Sequence, residues 1–157
     1  MLIRPFQQED IQPLRDIIRA TGVFKEEEVE VAVELMEIVL EDKAQIDYVL
    51  YTAVDEATVV RGYYCIGPTP MTEGTFDLYW IAVDPTYHGR GIGKQLLQHC
   101  EEYVKARNGR LIVAETSSQA KYDNTRKFYQ RCNYIEASRI KDYYSVGDDL
   151  VVYTKHL

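Results

Sequence analysis

The spacing of apolar residues divides the chain into helical and extended segments. Apolar residues recur every three or four positions in four segments, which predicts amphipathic helices over residues 9–20, 26–41, 91–106 and 122–132. β-branched and aromatic residues dominate seven shorter segments, which predicts strands over residues 2–5, 48–54, 58–66, 75–83, 110–115, 134–140 and 150–154. The predicted order of elements is therefore β-α-α-β-β-β-α-β-α-β-β.

The strand predicted over residues 110–115 differs from the others. Its centre, residues 111–114, is apolar without alternation, which is typical of a central strand covered on both faces. Glu115 ends this strand, and ligands of α/β proteins gather outside the carboxyl ends of strands. A partly desolvated carboxylate there would have a raised pKa and could act as a base. The structural alternative is a solvated glutamate at a strand end.

A glycine-rich turn joins the strand over 75–83 to the helix over 91–106. Gly89, Gly91 and Gly93 alternate with other residues, so backbone can approach a ligand without an intervening Cβ. The free N–H groups of a helix start lie at the same place, which favours phosphate or pyrophosphate. A P-loop and a dinucleotide fingerprint both fit this spacing less well. An ordinary strand-to-helix turn needs one glycine rather than three.

Two segments carry a resemblance to a known family. His88-Gly89-Arg90-Gly91-Ile92-Gly93 resembles the acyl-CoA-binding motif of the GNAT N-acetyltransferase superfamily, Gln/Arg-x-x-Gly-x-Gly/Ala after a strand ending near Val-Asp-Pro. His88 stands where the family usually has Gln or Arg. Residues 125–134, with Phe128-Tyr129, resemble the family's Ala-x-x-Phe/Leu-Tyr-x-x-x-Gly-Phe/Tyr signature. The order of elements also matches, so the resemblance covers nearly the whole chain.

The resemblance implies a fold and a co-substrate. We expect a single α/β (α+β) domain over residues 1–157, with a mixed, mostly antiparallel central sheet and helices on both faces. Two splayed parallel strands would form the acyl-CoA cleft, and acetyl-CoA would be the co-substrate, with no metal. The implied CoA-binding residues are Ile81, Ala82 and Val83 along the pantetheine arm and His88, Gly89, Arg90, Gly91, Ile92, Gly93 and Lys94 around the pyrophosphate.

The resemblance also implies catalytic roles. Tyr129 matches the usual general acid, whose hydroxyl lies near the CoA sulfur, whereas Phe128 is read as a core aromatic. Glu115 matches the base of the ribosomal-protein and protein N-terminal acetyltransferases. Asp77, on the neighbouring strand, is the rival base and a substrate-binding candidate. A family asparagine that contacts CoA corresponds by spacing to Tyr122, while Asn124 lies two places later, and the choice between these two stays open.

The segment over residues 141–150 is similar to the Tyr-Tyr…Gly-x-Asp-Ala hairpin that shapes the acceptor pocket of N-terminal acetyltransferases. Tyr143 and Tyr144 could therefore contact an amine through cation–π or hydroxyl interactions. A plain β-hairpin with a Gly-Asp turn explains the same residues without a binding role.

Composition limits the classes of function. The 157 residues are 46% hydrophobic and carry a net charge of −7, which argues against nucleic-acid binding. No long apolar run predicts a membrane span, and the first residues do not resemble a signal peptide. Three cysteines without a Cys-x-x-Cys pair are read as reduced, partly buried thiols of a cytoplasmic protein rather than zinc ligands.

The sequence therefore predicts an N-acetyltransferase that moves the acetyl group from acetyl-CoA to a primary amine in a ternary complex. The acceptor is either a small-molecule amine or a peptide N-terminus, and a homodimer is common in the family. The alternative is a non-catalytic acyl-CoA-binding or regulatory domain of the same fold.

Overall fold

The computed structural model describes all 157 residues, Met1 to Leu157. The strands are β1 (Leu2–Pro5), β2 (Val49–Val54), β3 (Val60–Pro68), β4 (Thr75–Val83), β5 (Leu111–Ser117), β6 (Ile135–Ser145) and β7 (Asp148–His156). The helices are α1 (Ile11–Ala20), α2 (Glu26–Glu41), α3 (Ile92–Lys105) and α4 (Asp123–Arg131). This order of elements confirms the one predicted from the sequence. No helix is long and apolar enough to cross a membrane.

One seven-stranded sheet organises the molecule, in the order β1-β2-β3-β4-β5-β7-β6. Only the pair β4–β5 is parallel, and every other pair is antiparallel. Side chains alternate between the two faces, so Tyr64 and Ile66 pack with α3 and α4, while Tyr63 and Cys65 pack with α1 and α2. These are called the α3 face and the α1 face below. The predicted mixed sheet with helices on both faces is confirmed.

The predicted bounds agree best where the local signals are strong. β1, α2 and β4 begin and end at the predicted residues. The last two strands are longer than predicted, because a two-residue turn at Val146 and Gly147 lets β6 and β7 pair up to Ser145 and Asp148. Gly147 makes this turn with φ +82°, a conformation that favours glycine. Asn133 ends α4 in the left-handed conformation that the sequence predicted.

β4 and β5 separate halfway along their length. They pair from Thr75 and Leu111 to Leu78 and Ala114, and no further. Beyond that point β4 continues against β3, and β5 continues against β7. Tyr79 is an extra residue in β4, since Cys65 lies opposite Trp80 while Ile66 lies opposite Leu78. The splayed strands are therefore confirmed, and a β-bulge marks the start of the split.

The bulge changes which residues of β4 face each side. Before it, Phe76 and Leu78 pack on the α3 face, whereas after it Trp80 and Ala82 pack on the α1 face. The sequence predicts one regular strand over residues 75–83 and does not reveal this change. β4 is largely apolar before and after the bulge. The alternation of apolar and polar residues that would reveal the extra residue is therefore missing.

The helices cover the two faces of the sheet unequally. The core on the α3 face includes residues of β2, β3, β4, β5 and β7, whereas the core on the α1 face takes its strand residues from β2, β3 and β4 alone. On β5, Ile112 and Ala114 are buried on the α3 face, but Leu111 and Val113 are only half-buried. The expectation that this strand is covered on both faces is therefore wrong, since α1 and α2 do not extend over it.

The cysteines are free thiols, as predicted, with Cys65 and Cys100 buried and Cys132 half-buried. Burial raises the pKa of the Cys65 thiol to about 12, so this thiol stays protonated. Protonated buried thiols are poor nucleophiles, which agrees with a packing role.

A buried carboxylate connects β1 and β2 to the segment before α1. Asp10 accepts hydrogen bonds from Nη1 and Nη2 of Arg4, both at 2.8 Å, from the backbone N–H of Gln7 at 2.9 Å and from the Thr52 hydroxyl at 3.0 Å. Burial opposes ionisation of Asp10, but these donors together hold the pKa of its carboxyl below the ordinary value. The ionised form of Asp10 therefore stabilises the fold.

Replacement of Asp10 by asparagine should destabilise the protein by about 1–3 kcal/mol, because Arg4 loses its charged acceptor. The contribution of ionised Asp10 is complete above its unfolded pKa of about 3.9 and is lost as the pH falls through the lower folded value. The advantage of the wild type over Asp10→Asn should therefore shrink below about pH 4. Urea unfolding across a pH series measures both effects, and the exposed Asp16→Asn is the matched control, expected within about 0.5 kcal/mol of wild type.

Candidate active site at the split between β4 and β5

The glycine turn follows β4 at the open end of the split. Gly89 and Gly91 have φ angles of +79° and +76°, and a Cβ at either would meet nothing within 4 Å. Both are therefore required by backbone conformation and leave open space beside the chain. Gly93 is different, because a Cβ there would lie 3.0 Å from Cε1 of Phe128. This third glycine lets the start of α3 pack closely against α4.

The turn presents a row of free backbone donors. The N–H groups of the six residues from Gly89 to Lys94 donate to no acceptor in the protein, three of them from the turn and three from the first turn of α3. Such a row at a helix N-terminus attracts anions through its N–H groups and through the helix dipole. His88, Arg90 and Lys94 are exposed around it, and Arg90 and Lys94 add positive charge.

A half-buried arginine network holds the start of this turn in place. Arg61 of β3 donates from Nε to Asp55 at 2.8 Å, from Nη1 to Asp84 at 2.9 Å and from Nη2 to the hydroxyl of Tyr87 at 3.0 Å. Its guanidinium also lies 3.7 Å from the centroid of the Tyr87 ring, and that of Arg90 lies 4.4 Å from the same centroid. Arg61 is not among the residues predicted from the sequence, because a lone basic residue on a strand gives no local signal.

The split exposes backbone groups of β4. Asp84 donates its N–H to the carbonyl of Arg61 at 2.8 Å, and Val83 lies opposite Gly62. Because successive residues of a strand direct their backbone groups to alternate edges, Ile81 and Val83 direct theirs away from β3. They point to the edge that β5 has left. The backbone groups of Ala82 point towards β3. Of the three predicted residues, therefore, only Ile81 and Val83 have backbone N–H and C=O groups free to hydrogen-bond an extended ligand.

Tyr129 is a residue of α4 and packs against the α3 face of the sheet. Its ring stacks on Tyr153 with centroids 5.5 Å apart and lies 5.6 Å from the rings of Phe128 and Tyr134. Its side chain is 5% exposed, and its hydroxyl makes no hydrogen bond within the protein. Burial raises its pKa well above the ordinary value, so the phenol stays protonated and can donate. Phe128, the expected core aromatic, is only half-buried.

Glu115 lies on the opposite face of the sheet from Tyr129. Since Ile112 and Ala114 point to the α3 face, Glu115 points to the α1 face, one residue beyond the last β4–β5 pair. Its side chain is exposed, so the fold alone does not supply the partial desolvation that the sequence suggested. Burial, followed by the negative charge of Glu115, raises the pKa of Tyr144. Tyr143 packs edge-on against Tyr144, with centroids 5.0 Å apart, and both tyrosines are exposed.

Asp77 lies on the same face as Glu115, within the paired part of β4. It is adjacent to Val113 in the ladder and accepts a hydrogen bond from the Thr69 hydroxyl at 2.8 Å. Its charge contributes, after burial, to raising the pKa of Tyr79 to about 12. Asp77 therefore lies at the base of the cleft, whereas Glu115 lies where the two strands part.

Three aromatic residues cross the split on the α1 face. Phe24, from the loop between α1 and α2, lies 4.9 Å from Trp80 of β4 and 6.3 Å from Tyr122, which follows β5. The Tyr122 hydroxyl donates to the carbonyl of Val23 at 3.2 Å. Tyr122 is thus engaged on the α1 face, whereas Asn124 is exposed on the first turn of α4. Neither Phe24 nor Trp80 was singled out from the sequence, because single aromatics in apolar segments resemble core residues.

Asp148 is a buried carboxylate beside the same cleft, and sequence reasoning missed it. It is 8% exposed, and its Oδ1 accepts a short hydrogen bond from the hydroxyl of Ser117 at the end of β5. In the sequence it follows Gly147 and reads as a turn residue. No local signal could have shown that pairing of β5 with β7 carries it to the end of the split.

Comparisons with known proteins agree with this geometry. Residues 46–136 match the family model described as an acetyltransferase (GNAT) domain. A GNAT-family protein from Desulfovibrio desulfuricans is 38% identical, with 99% of this chain and 98% of that chain covered and a TM-score of 0.94. None of the curated proteins compared matches this chain.

Two more distant structures share the fold alone. An aminoglycoside 6'-N-acetyltransferase complexed with coenzyme A is 17% identical, with 99% of this chain and 97% of that chain covered and a TM-score of 0.77. The ribosomal-protein-S18-alanine N-acetyltransferase from Escherichia coli is 16% identical, with 99% and 92% covered and a TM-score of 0.75. With more than half of its length matched by the family model, and with a relative this similar over its whole length, the chain belongs to the GNAT acetyltransferase family.

Proposed function

We propose that this protein transfers the acetyl group of acetyl-CoA directly to a primary amine within a ternary complex. The observation that carries the proposal is the split between β4 and β5, which opens next to six unpartnered N–H groups. A long ligand with an anionic centre and an amide-bearing arm fits both features. The two distant enzymes above act on an aminoglycoside and on a ribosomal protein, so the fold accommodates acceptors of either kind.

The chain's own residues suit the binding of CoA. The N–H groups from Gly89 to Lys94 would hold the pyrophosphate, with Arg90 and Lys94 beside it. The free backbone edges of Ile81 and Val83 would pair with the amides of the pantetheine arm. Of the two candidates for a further CoA contact, Asn124 is favoured, because Tyr122 is bonded to the α1–α2 loop.

The two faces of the split suit the two partners of the reaction. In our proposal the acceptor amine enters on the α1 face and loses a proton to Glu115, directly or through water, before its nitrogen attacks the thioester carbonyl. Collapse of the tetrahedral intermediate breaks the carbon–sulfur bond. Tyr129, held protonated by burial on the α3 face, donates its hydrogen to the departing sulfur. Positioning by the split accounts for the rest of the rate.

A direct test uses the purified protein, acetyl-CoA and a panel of primary amines and peptides with free N-termini. Release of the CoA thiol that depends on the amine, with an acetylated product found by mass spectrometry, would support the proposal. Tight acetyl-CoA binding without turnover on any acceptor would favour the non-catalytic acyl-CoA-binding alternative instead.

Gly91→Asp should abolish acetyl-CoA binding while the protein stays folded. The substitution places a negative charge where the phosphate oxygens would lie, and the free space around Gly91 leaves side-chain packing unchanged, while its φ of +76° adds a backbone strain that the control shares. Calorimetric titration with acetyl-CoA measures the loss. Gly22→Asp is the matched control, because Gly22 has φ +73° and equally open surroundings away from the turn. Wild-type affinity in Gly91→Asp would refute the pyrophosphate site.

Tyr129→Phe should lower kcat by about 10²–10⁴-fold with little change in acetyl-CoA affinity, because it removes the hydroxyl and keeps the ring stack. Tyr134→Phe is the control in the same cluster. The Tyr134 hydroxyl is buried without a hydrogen-bond partner, so its removal should preserve turnover and leave stability equal or higher. Equal turnover of Tyr129→Phe and wild type at saturating substrates would make Tyr129 a packing residue.

Glu115→Gln should be most impaired at neutral pH, where the acceptor is an ammonium ion. The defect should shrink as the pH rises towards the amine pKa, about 10.4 for an alkylamine and about 7.7–8.0 for an α-amine. Rate profiles of wild type, Glu115→Gln and Asp77→Asn against pH separate the two candidate bases. A crippled Asp77→Asn beside an unaffected Glu115→Gln would move the base to β4.

A further inference from the structure

Two arginines contact the ring of Tyr87, and their charges are used differently. Arg61 donates to two carboxylates, to Asp55 at 2.8 Å and to Asp84 at 2.9 Å, so its charge is compensated within the protein. Arg90 takes part in none of the ion pairs of the protein, and its side chain is exposed. Arg90 therefore keeps its charge for a ligand, whereas Arg61 has a supporting role.

Arg61 fixes the position of Tyr87. Its Nη2 donates to the Tyr87 hydroxyl at 3.0 Å, and its guanidinium lies 3.7 Å from the centroid of the Tyr87 ring. The carbonyl of Arg61 also accepts from the N–H of Asp84 at 2.8 Å. Asp84 in turn accepts from the N–H and the hydroxyl of Thr86, at 2.9 and 2.8 Å. The segment that carries Tyr87 is thus tied to β3 through backbone and side chains together.

Tyr87 restrains the side chain of Arg90. The guanidinium of Arg90 lies 4.4 Å from the centroid of the Tyr87 ring, within the range of a cation–π contact. A free arginine side chain samples many rotamers, and ordering it on binding costs affinity. The contact with Tyr87 meets part of that cost before a ligand arrives. The N–H of Arg90 is itself one of the six free donors, so its guanidinium stays within one side-chain length of them.

We propose that Tyr87 is a positioning residue for the binding of acetyl-CoA, because its ring holds the Arg90 guanidinium ready for the pyrophosphate. Arg61 acts on Tyr87, Tyr87 acts on Arg90, and Arg90 alone among these three meets the phosphate oxygens. This inference rests on the proposed function, in which the glycine turn binds CoA. It makes the affinity for the co-substrate depend on a contact between two side chains, in addition to the backbone of the turn.

Calorimetric titration of the purified protein with acetyl-CoA tests the proposal. Tyr87→Leu removes the ring and should raise the dissociation constant about three- to tenfold. Tyr87→Phe keeps the ring and should stay within about twofold of wild type. Tyr103→Leu is the matched control, because the Tyr103 ring lies 3.4 Å from the guanidinium of Arg107 at the other end of α3. The control loses a contact of the same kind away from the turn, so its affinity should be unchanged.

A double-mutant cycle separates positioning of Arg90 from a general structural role of Tyr87. Arg90→Met should weaken acetyl-CoA binding about tenfold, and Tyr87→Leu added to it should change the affinity little further, since Tyr87 acts through Arg90. A structural role would make the two effects add. Arg90→Lys keeps the charge but lacks the planar group that stacks on a ring, so it should weaken binding about threefold.

Additive effects in the cycle, or wild-type affinity in either Tyr87→Leu or Arg90→Met, would overturn the proposal. If Tyr87→Leu unfolds in a thermal scan, the exposed Arg90→Lys decides, and wild-type affinity in that variant would show that charge alone suffices. Binding of acetyl-CoA without turnover on any amine would refute the proposed transfer reaction and leave this inference standing. Absence of acetyl-CoA binding in the wild type would refute both.

Discussion

The separation of β4 from β5 beyond Leu78 and Ala114 is the constraint on which the rest of the site depends. Each strand keeps a full ladder on its outer side, β4 with β3 and β5 with β7. The inner edges therefore part without either strand losing its place in the sheet. Backbone groups of Ile81 and Val83 at the β4 edge have no strand to pair with, although both residues are half-buried. Within the fold we have described, an extended ligand with amide groups would supply partners for them.

The helices cover the two faces of the sheet unequally, so Tyr129 and Glu115 lie in different surroundings. α3 and α4 close one face, so Tyr129 is enclosed in an aromatic cluster that keeps its phenol protonated. α1 and α2 stop short of β5, so Glu115 faces an open cleft. In the proposed reaction Tyr129 is the proton donor and Glu115 is the base that meets the charged acceptor. The sheet places these two side chains on opposite faces of the same split.

The backbone conformation of the glycine turn requires glycines, which makes the turn recognisable in the sequence, and it leaves backbone N–H groups without partners. The turn has two left-handed glycines and a third in close contact with Phe128, and six successive N–H groups along it have no partner in the protein. The requirement for glycine depends on the local backbone, so it can be recognised in consecutive residues of the sequence. The support beneath it is not local, since Arg61 reaches the turn from β3 through Asp84 and Tyr87.

The sequence by itself determined the order of elements, the family, and the residues whose role follows from local geometry. The spacing of apolar residues and the alternating glycines depend on neighbours along the chain, which is why β4, α2 and Gly91 could be predicted. The tertiary structure alone decided the bulge at Tyr79 and the half-open cover of β5. It also decided the contact of Tyr122 with the α1–α2 loop, since the hydroxyl of Tyr122 donates to the carbonyl of Val23, 99 positions earlier in the chain. Such contacts depend on which strands pair and how far the helices reach, and no local pattern encodes either.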